Sequence, residues 1–174
     1  MSTLLTITII LILLTIIIET VFLILQLKGK KMTKWFGGRA FLIHSTVTLF
    51  FWGSSFFLIF LLQFENHAIF HNDSLVKFMG LILIFTGLII AIWGFKTLGL
   101  KRSLCINFYE PQISVVKSSL YKNIKNPEDY GLWMMLFGFA LYTASIYNLI
   151  IAIEFIVLMI PHQRIENIPL QVNE

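Results

Sequence analysis

Long apolar stretches constrain this chain more than any other feature of its sequence. Residues 4–27 form an almost unbroken apolar run whose single charged side chain is Glu19. At about 1.5 Å per residue, a helix of that length spans roughly 36 Å, which is enough to cross a hydrocarbon core about 30 Å thick. We therefore expect a membrane span here rather than a cleaved signal peptide. Comparable stretches occupy residues 40–62, 75–98 and 130–160.

The last of these stretches, residues 130–160, is too long for one comfortable pass and short for two. We predict a helical hairpin that turns near Tyr147 and Asn148. The fold class is then all-α: a polytopic membrane protein with about five transmembrane helices, the last two forming that hairpin. Composition agrees, because only 13% of the 174 residues are charged, against about 25% in an ordinary soluble domain. The lone cysteine, Cys105, excludes an internal disulfide framework.

The basic residues indicate an orientation. In a five-pass model, twelve of the 13 Lys and Arg residues lie on one side, in the first and third connections and after the last helix. Only Lys77 lies near the other face. By the positive-inside rule we expect the N-terminus outside, and the C-terminus and the long third connection in the cytoplasm. The net charge of +4 is thus a topology signal; it gives no support for nucleic-acid binding, and the expected partner is the lipid bilayer.

Small residues recur every seven positions on the third and fourth helices, so each set lies on one helix face. The sets are Gly80, Gly87 and Gly94, and Gly131, Gly138 and Ser145. Small side chains allow close backbone approach between helices in lipid. We predict that these two faces pack together or against adjacent helices.

Other polar residues leave alternatives open. Glu19 and Glu154 are carboxylates inside apolar stretches, where such groups are costly and often functional; a packing or hydrogen-bonding role is the alternative. His67 and His71 have a spacing that can bind a metal on a helix. No third ligand accompanies them, so we assign no metal site.

The third connection, residues 99–129, is far longer than a helix-to-helix link requires. It contains scattered apolar residues, which predict a folded cap over a cytosolic cavity. Its end reads as a helix start. Asn126 is a good N-cap, Pro127 suits the first helical position, and Glu128 and Asp129 suit the positive end of the helix dipole.

The same segment, residues 120–131, contains Leu-Tyr, Ile-Lys-Asn-Pro and Tyr-Gly in order. It resembles the G-L-Y-x-x-x-R-H-P-x-Y-x-G signature of the isoprenylcysteine carboxyl methyltransferase and phospholipid methyltransferase superfamily. A Leu-Gly pair ends the third helix as in the family, and residues 164–170 are similar to a shortened R-I-x-x-E-E-x-x-L terminus. The resemblance covers residues 75–170. Departures are Lys125 for the arginine, Asn126 for the histidine and Asn167 for the second glutamate.

The resemblance implies a membrane methyltransferase that uses S-adenosylmethionine and acts on a lipophilic acceptor, a prenylcysteine-like carboxylate or a phospholipid-like group. It implies a single integral membrane domain, residues 1–174, with the first two helices in residues 1–74 and a cofactor-binding, methyltransferase-like core in residues 75–174. The residues it implies for the cofactor are Tyr121, Asn126, Pro127, Tyr130 and Glu166, and those for catalysis, holding an anionic acceptor group, are Lys125 and Arg164.

Two other functions stay open at this point. The motif departures allow a catalytically silent membrane protein of the same fold. The carboxylates within apolar stretches allow a small transporter or assembly subunit, although we find neither broken half-helices nor an internal repeat.

Overall fold

The computed structural model describes residues 2–65, 73–110, 119–124 and 126–166. These residues form helices, short 3-10 turns and connections, with no strand among them. The α-helices are α1 (Thr3–Leu27), α2 (Lys31–Phe36), α3 (Ala40–Leu61), α4 (Ser74–Leu98), α5 (Leu100–Ser103), α6 (Pro127–Thr143) and α7 (Ile146–Glu166). His67 and His71 lie outside the described residues.

Within the part of the chain that the structure describes, four segments are long and apolar enough to cross a membrane: Thr3–Leu27, Lys31–Leu61, Ser74–Leu98 and Ile146–Glu166. The 17-residue α6 forms a hairpin with α7. An all-α, multi-pass membrane protein is thereby confirmed, with α6 as the shortest of the five long helices.

The hairpin turns at Ala144 and Ser145, a few residues before the predicted position. Ala144 adopts a left-handed conformation with φ of 50°, and its N–H returns to the carbonyl of Ala140. Asn148 lies in the first turn of α7, where its amide Nδ2 donates to Thr143 Oγ1 at 2.8 Å. The polar Asn148 therefore ties the start of α7 back to α6 and does not form the turn itself.

The helices pack in the spatial order α3, α1, α7, α6, α4. Between α4 and α6 the backbones approach very closely. A Cβ placed on Gly87 would lie 2.5 Å from the carbonyl oxygen of Gly131, and one on Gly80 would lie 2.7 Å from that of Gly138. The predicted packing of the two glycine faces is confirmed.

Apolar side chains of α1, α3 and α7 form the main core, with Ile12 and Ile16 against Ile151 and Phe155. A second, smaller cluster lies beyond it and contains Leu23, Cys105 and Phe108. That cluster holds the beginning of the third connection against the last turns of α1 and α7.

Polar contacts fix the same end of the bundle. The Gln26 amide donates to Thr33 Oγ1 at 2.8 Å, and also to the carbonyl oxygen of Phe108. His44 Nδ1 and the Tyr109 hydroxyl are 2.8 Å apart. The C-terminal ends of α1, α4 and α7 and the N-terminal ends of α3 and α6 thus meet, and we call this the basic end because most of the lysines and arginines lie there.

Candidate functional site

The polar site at the basic end begins with a contact between α6 and α7. Asn126 immediately precedes α6, and Glu166 is the last residue of α7. The Asn126 Nδ2 donates to Glu166 Oε2 at 3.0 Å, across 40 residues of sequence. This bond joins the beginning of one arm of the hairpin to the end of the other.

The backbone explains why the Asn126 side chain is available for that bond. Asn126 is the N-cap residue of α6, as predicted, but its φ of 49° and ψ of 57° are left-handed and its side chain makes no capping hydrogen bond. Asparagine tolerates this conformation better than most residues. Pro127 follows at the first helical position, where no N–H is needed.

The first turn of α6 adds two carboxylates. Glu128 is buried and accepts a hydrogen bond from the Tyr121 hydroxyl. Asp129 accepts one from Gln163 Nε2 at 2.9 Å. Gln163 and Glu166 are three residues apart on α7, so they project from one side of that helix.

Cys105 completes the group, which we call the acidic cluster: Cys105, Tyr121, Asn126, Glu128, Asp129, Gln163 and Glu166. The Cys105 thiol is buried and donates to Glu166 Oε1 at 3.5 Å. Burial raises the pKa of Cys105, and the nearby carboxylate of Glu166 raises it further. Burial and the hydrogen bond to Glu128 raise the pKa of Tyr121 as well. Both groups therefore stay protonated and act as neutral donors.

A second polar network lies deeper along α7. Glu19 Oε2 accepts from Trp52 Nε1 at 3.0 Å and lies 3.9 Å from His162 Nε2. The other ring nitrogen of His162 is 2.9 Å from Thr20 Oγ1. The partners of Glu19 are therefore the indole N–H of Trp52 on α3 and the ring of His162 on α7. Within the described residues, no lysine or arginine contacts Glu19.

The structure brings together four of the residues that the resemblance implies for the cofactor: Tyr121, Asn126, Pro127 and Glu166. Tyr130 lies one turn into α6 with 46% of its surface exposed. Arg164 is exposed near the end of α7. Neither makes a described hydrogen bond or ion pair with the acidic cluster, and Lys125 lies outside the described residues.

Four members of the acidic cluster were not predicted as site residues from the sequence: Cys105, Glu128, Asp129 and Gln163. Glu128 and Asp129 are already explained as residues that suit the start of a helix. The sequence therefore gives no separate reason to expect their hydrogen bonds with Tyr121 and Gln163. A partial signal exists for Gln163, which precedes Glu166 by three residues, a spacing that places both side chains on one side of a helix.

The chemistry of the acidic cluster suits a cationic ligand. Three carboxylates converge there, and their described partners are an amide, a hydroxyl, a thiol and a second amide, all neutral. Gathering carboxylates away from water is costly in their ionised form unless a positive charge compensates them. Among the described residues, no lysine or arginine side chain pairs with them.

Comparison with known proteins identifies the family. A family model for phospholipid methyltransferase matches residues 75–171, more than half of the 174-residue chain. No curated protein and no solved structure matches the chain. The matched region contains α4 except its first residue, all of α5 to α7, and every member of the acidic cluster. On that match, the chain belongs to the phospholipid methyltransferase family.

Proposed function

We propose that the chain transfers a methyl group from S-adenosylmethionine to a lipophilic acceptor in the membrane. The observation that carries the proposal is the acidic cluster within the region matched by the family model. S-adenosylmethionine has a sulfonium and an ammonium group beside its own carboxylate, so the carboxylates of the cluster suit its two cationic groups. When bound, it supplies the methyl group to a nucleophile held in line with it.

Most residues of the acidic cluster have a role in this proposal. Glu166 and Asp129 hold the cationic groups of the donor. Asn126 and Gln163 each use one amide N–H to orient one of those carboxylates, which leaves the remaining oxygen lone pairs for the ligand. Tyr121 does the same for Glu128. Pro127 fixes the backbone at the start of α6.

The residues that we propose for binding the acceptor are supported only by their positions in the chain and the structure. Arg164 is exposed two residues before Glu166, so it lies near the cluster and remains free to contact an anionic acceptor group. We keep Lys125 in the same role on the basis of the motif, and Tyr130 as a further donor contact. A prenylcysteine-like carboxylate and a phospholipid-like phosphate both present the negative charge that these residues require.

The direct test uses the full chain purified in detergent. We expect saturable binding of radiolabelled S-adenosylmethionine, followed by transfer of the labelled methyl group into an organic-soluble lipid fraction when bacterial or eukaryotic membrane lipids are added. Binding without transfer to any lipid would favour the catalytically silent protein. Absence of saturable binding would exclude the methyltransferase function.

A further inference from the structure

A proline interrupts α7 just before the part of the helix that contributes to the acidic cluster. Pro161 lies inside the helix, which continues to Glu166. Because proline has no N–H, the backbone hydrogen bond to the carbonyl of Val157 is missing, and the proline ring crowds that carbonyl. Residues 162–166, which we call the final turn of α7, are therefore joined to the rest of the helix less firmly than an ordinary turn. Contacts with neighbouring elements hold them in place.

His162, the first residue of the final turn, contacts α1 through both ring nitrogens. Its Nδ1 lies 2.9 Å from Thr20 Oγ1, and its Nε2 lies 3.9 Å from Glu19 Oε2. His162 and Glu19 are both buried. Glu19 is itself held by the indole N–H of Trp52 on α3. Two contacts at different points of one planar ring hold that ring in one orientation, so they fix the rotation of the final turn and its position along α1.

The positions of two cluster side chains follow from that orientation. Gln163 is the next residue after the histidine, and Glu166 lies one helical turn beyond it. Gln163 Nε2 donates to Asp129 Oδ2 at 2.9 Å, and Glu166 Oε1 accepts from the Cys105 thiol at 3.5 Å. Rotation of the final turn about its own axis would carry both side chains away from these partners.

The polar character of the contact between His162 and α1 favours a role in orientation. Burying a carboxylate and an imidazole within membrane spans costs stability relative to apolar side chains of similar volume. Apolar side chains would fill the same space, but apolar contact is non-directional, whereas a hydrogen bond depends on angle as well as distance. The polar contact therefore adds a constraint on rotation that apolar packing would not supply.

We propose that His162 is a positioning residue for the acidic cluster: through α1 it holds the final turn of α7, and it thereby fixes Gln163 and Glu166 in place. Helix α1 lies outside the region matched by the family model, so this contact gives the N-terminal part of the chain a role at the site. The positioning itself does not depend on methyl transfer; only its expected effect on donor binding rests on the proposed function.

The test makes two measurements on the full chain in detergent. The first is the rate at which N-ethylmaleimide alkylates Cys105, the one cysteine of the chain, followed by mass spectrometry. Cys105 is buried and contacts Glu166, so its alkylation reports displacement of the final turn. The second is equilibrium binding of radiolabelled S-adenosylmethionine.

Two substitutions of the histidine separate its nitrogens from its bulk. His162→Leu removes both nitrogens and keeps a side chain of similar volume. We expect it to raise the alkylation rate of Cys105 and to weaken S-adenosylmethionine binding, each by about fivefold or more, as for the loss of one buried hydrogen bond. His162→Asn keeps a polar atom near the position of Nδ1, opposite Thr20, and should stay within about twofold of the parent chain in both measurements.

The matched control is Asn148→Ala, at the other end of α7. Asn148 Nδ2 donates to Thr143 Oγ1 at 2.8 Å, so this variant also removes a polar contact between α7 and a neighbouring helix, but on the far side of the proline. It should lower stability and change neither measurement by more than about twofold.

Substitutions on α1 test the same contact from its other side. Thr20→Val removes the hydroxyl group without altering α7, and it should raise the alkylation rate and weaken donor binding as His162→Leu does. Thr20→Ser keeps the hydroxyl group and should behave as the parent chain.

Three results would overturn the proposal. Equal changes for His162→Leu and Asn148→Ala would show a general loosening of α7. Larger changes for His162→Asn than for His162→Leu would show that the bulk of the side chain matters and its nitrogens do not. If His162→Leu fails to fold, an unchanged alkylation rate in Thr20→Val would by itself contradict the positioning role. If the parent chain binds no S-adenosylmethionine, the proposed function fails, and the alkylation rates alone decide the role of His162.

Discussion

At the scale of single residues, Asn126 has two tasks. Its backbone is left-handed, which ends the preceding connection and starts α6, and its side-chain amide reaches Glu166 on the other arm of the hairpin. A histidine stands at this place in the family signature that the segment resembles. Asparagine keeps an N–H donor for the carboxylate and accepts the left-handed backbone at lower cost.

Two substitutions separate these tasks. Asn126→Ala removes the amide and adds left-handed strain, so we expect the free energy of unfolding to fall by about 2 kcal/mol. Asn126→Gly removes the amide without the strain and should be about 1 kcal/mol more stable than Asn126→Ala. Thermal or denaturant unfolding in detergent measures the difference. Equal stability of the two variants would show that residue 126 is not left-handed in solution.

At the scale of helices, the contact between α4 and α6 depends on glycine. The Cβ of an alanine at position 87 would lie 2.5 Å from the carbonyl oxygen of Gly131 and 2.9 Å from the backbone nitrogen of Met135. Both neighbours are backbone atoms, which cannot move aside as a flexible side chain can. Close approach of this kind, in lipid, supplies packing that the hydrophobic effect cannot.

We therefore predict that Gly87→Ala forces α4 and α6 apart and lowers the free energy of unfolding by about 1–3 kcal/mol. Gly53→Ala is the matched control, because it lies within α3 and a Cβ there would meet nothing within 4 Å. That control should leave stability unchanged or raise it by up to about 1 kcal/mol. Unfolding of both variants under one set of conditions decides the matter; similar stabilities would contradict close packing at Gly87.

The helices were more predictable from sequence than the contacts of the polar residues. Apolar run lengths and the seven-residue spacing of glycines are local patterns, and they predicted the spans and the packing of α4 on α6. The hairpin turn was placed too late, because Asn148 resembles a turn residue but its side chain bonds back to Thr143. Cys105 and Gln163 contact Glu166 and Asp129 across 61 and 34 residues, and no local pattern indicates such pairings.

At the scale of the whole molecule, the distribution of basic charge predicts the orientation in the membrane. Lysines and arginines gather at one end of the bundle, where the acidic cluster also lies. From the positive-inside rule we expect this end to lie in the cytoplasm. A methyl donor from the cytosol and a lipid from the bilayer would then both reach it.

Labelling of single introduced cysteines tests this orientation. In intact cells, a membrane-impermeant maleimide should label Phe64→Cys, which is exposed at the opposite end of the bundle, and should not label Lys34→Cys until the cells are opened. The parent chain gives the background, since its one cysteine, Cys105, is buried. Labelling of Lys34→Cys alone in intact cells would reverse the topology.

The central claim is that the carboxylates located where the start of α6 meets the end of α7 bind a cationic methyl donor. Its most direct test is equilibrium binding of S-adenosylmethionine to Glu166→Gln, with Glu154→Gln as a control that makes the same change elsewhere on α7. We predict that Glu166→Gln weakens binding by about tenfold or more and that Glu154→Gln leaves it unchanged. Equal affinities for the two variants would contradict the claim.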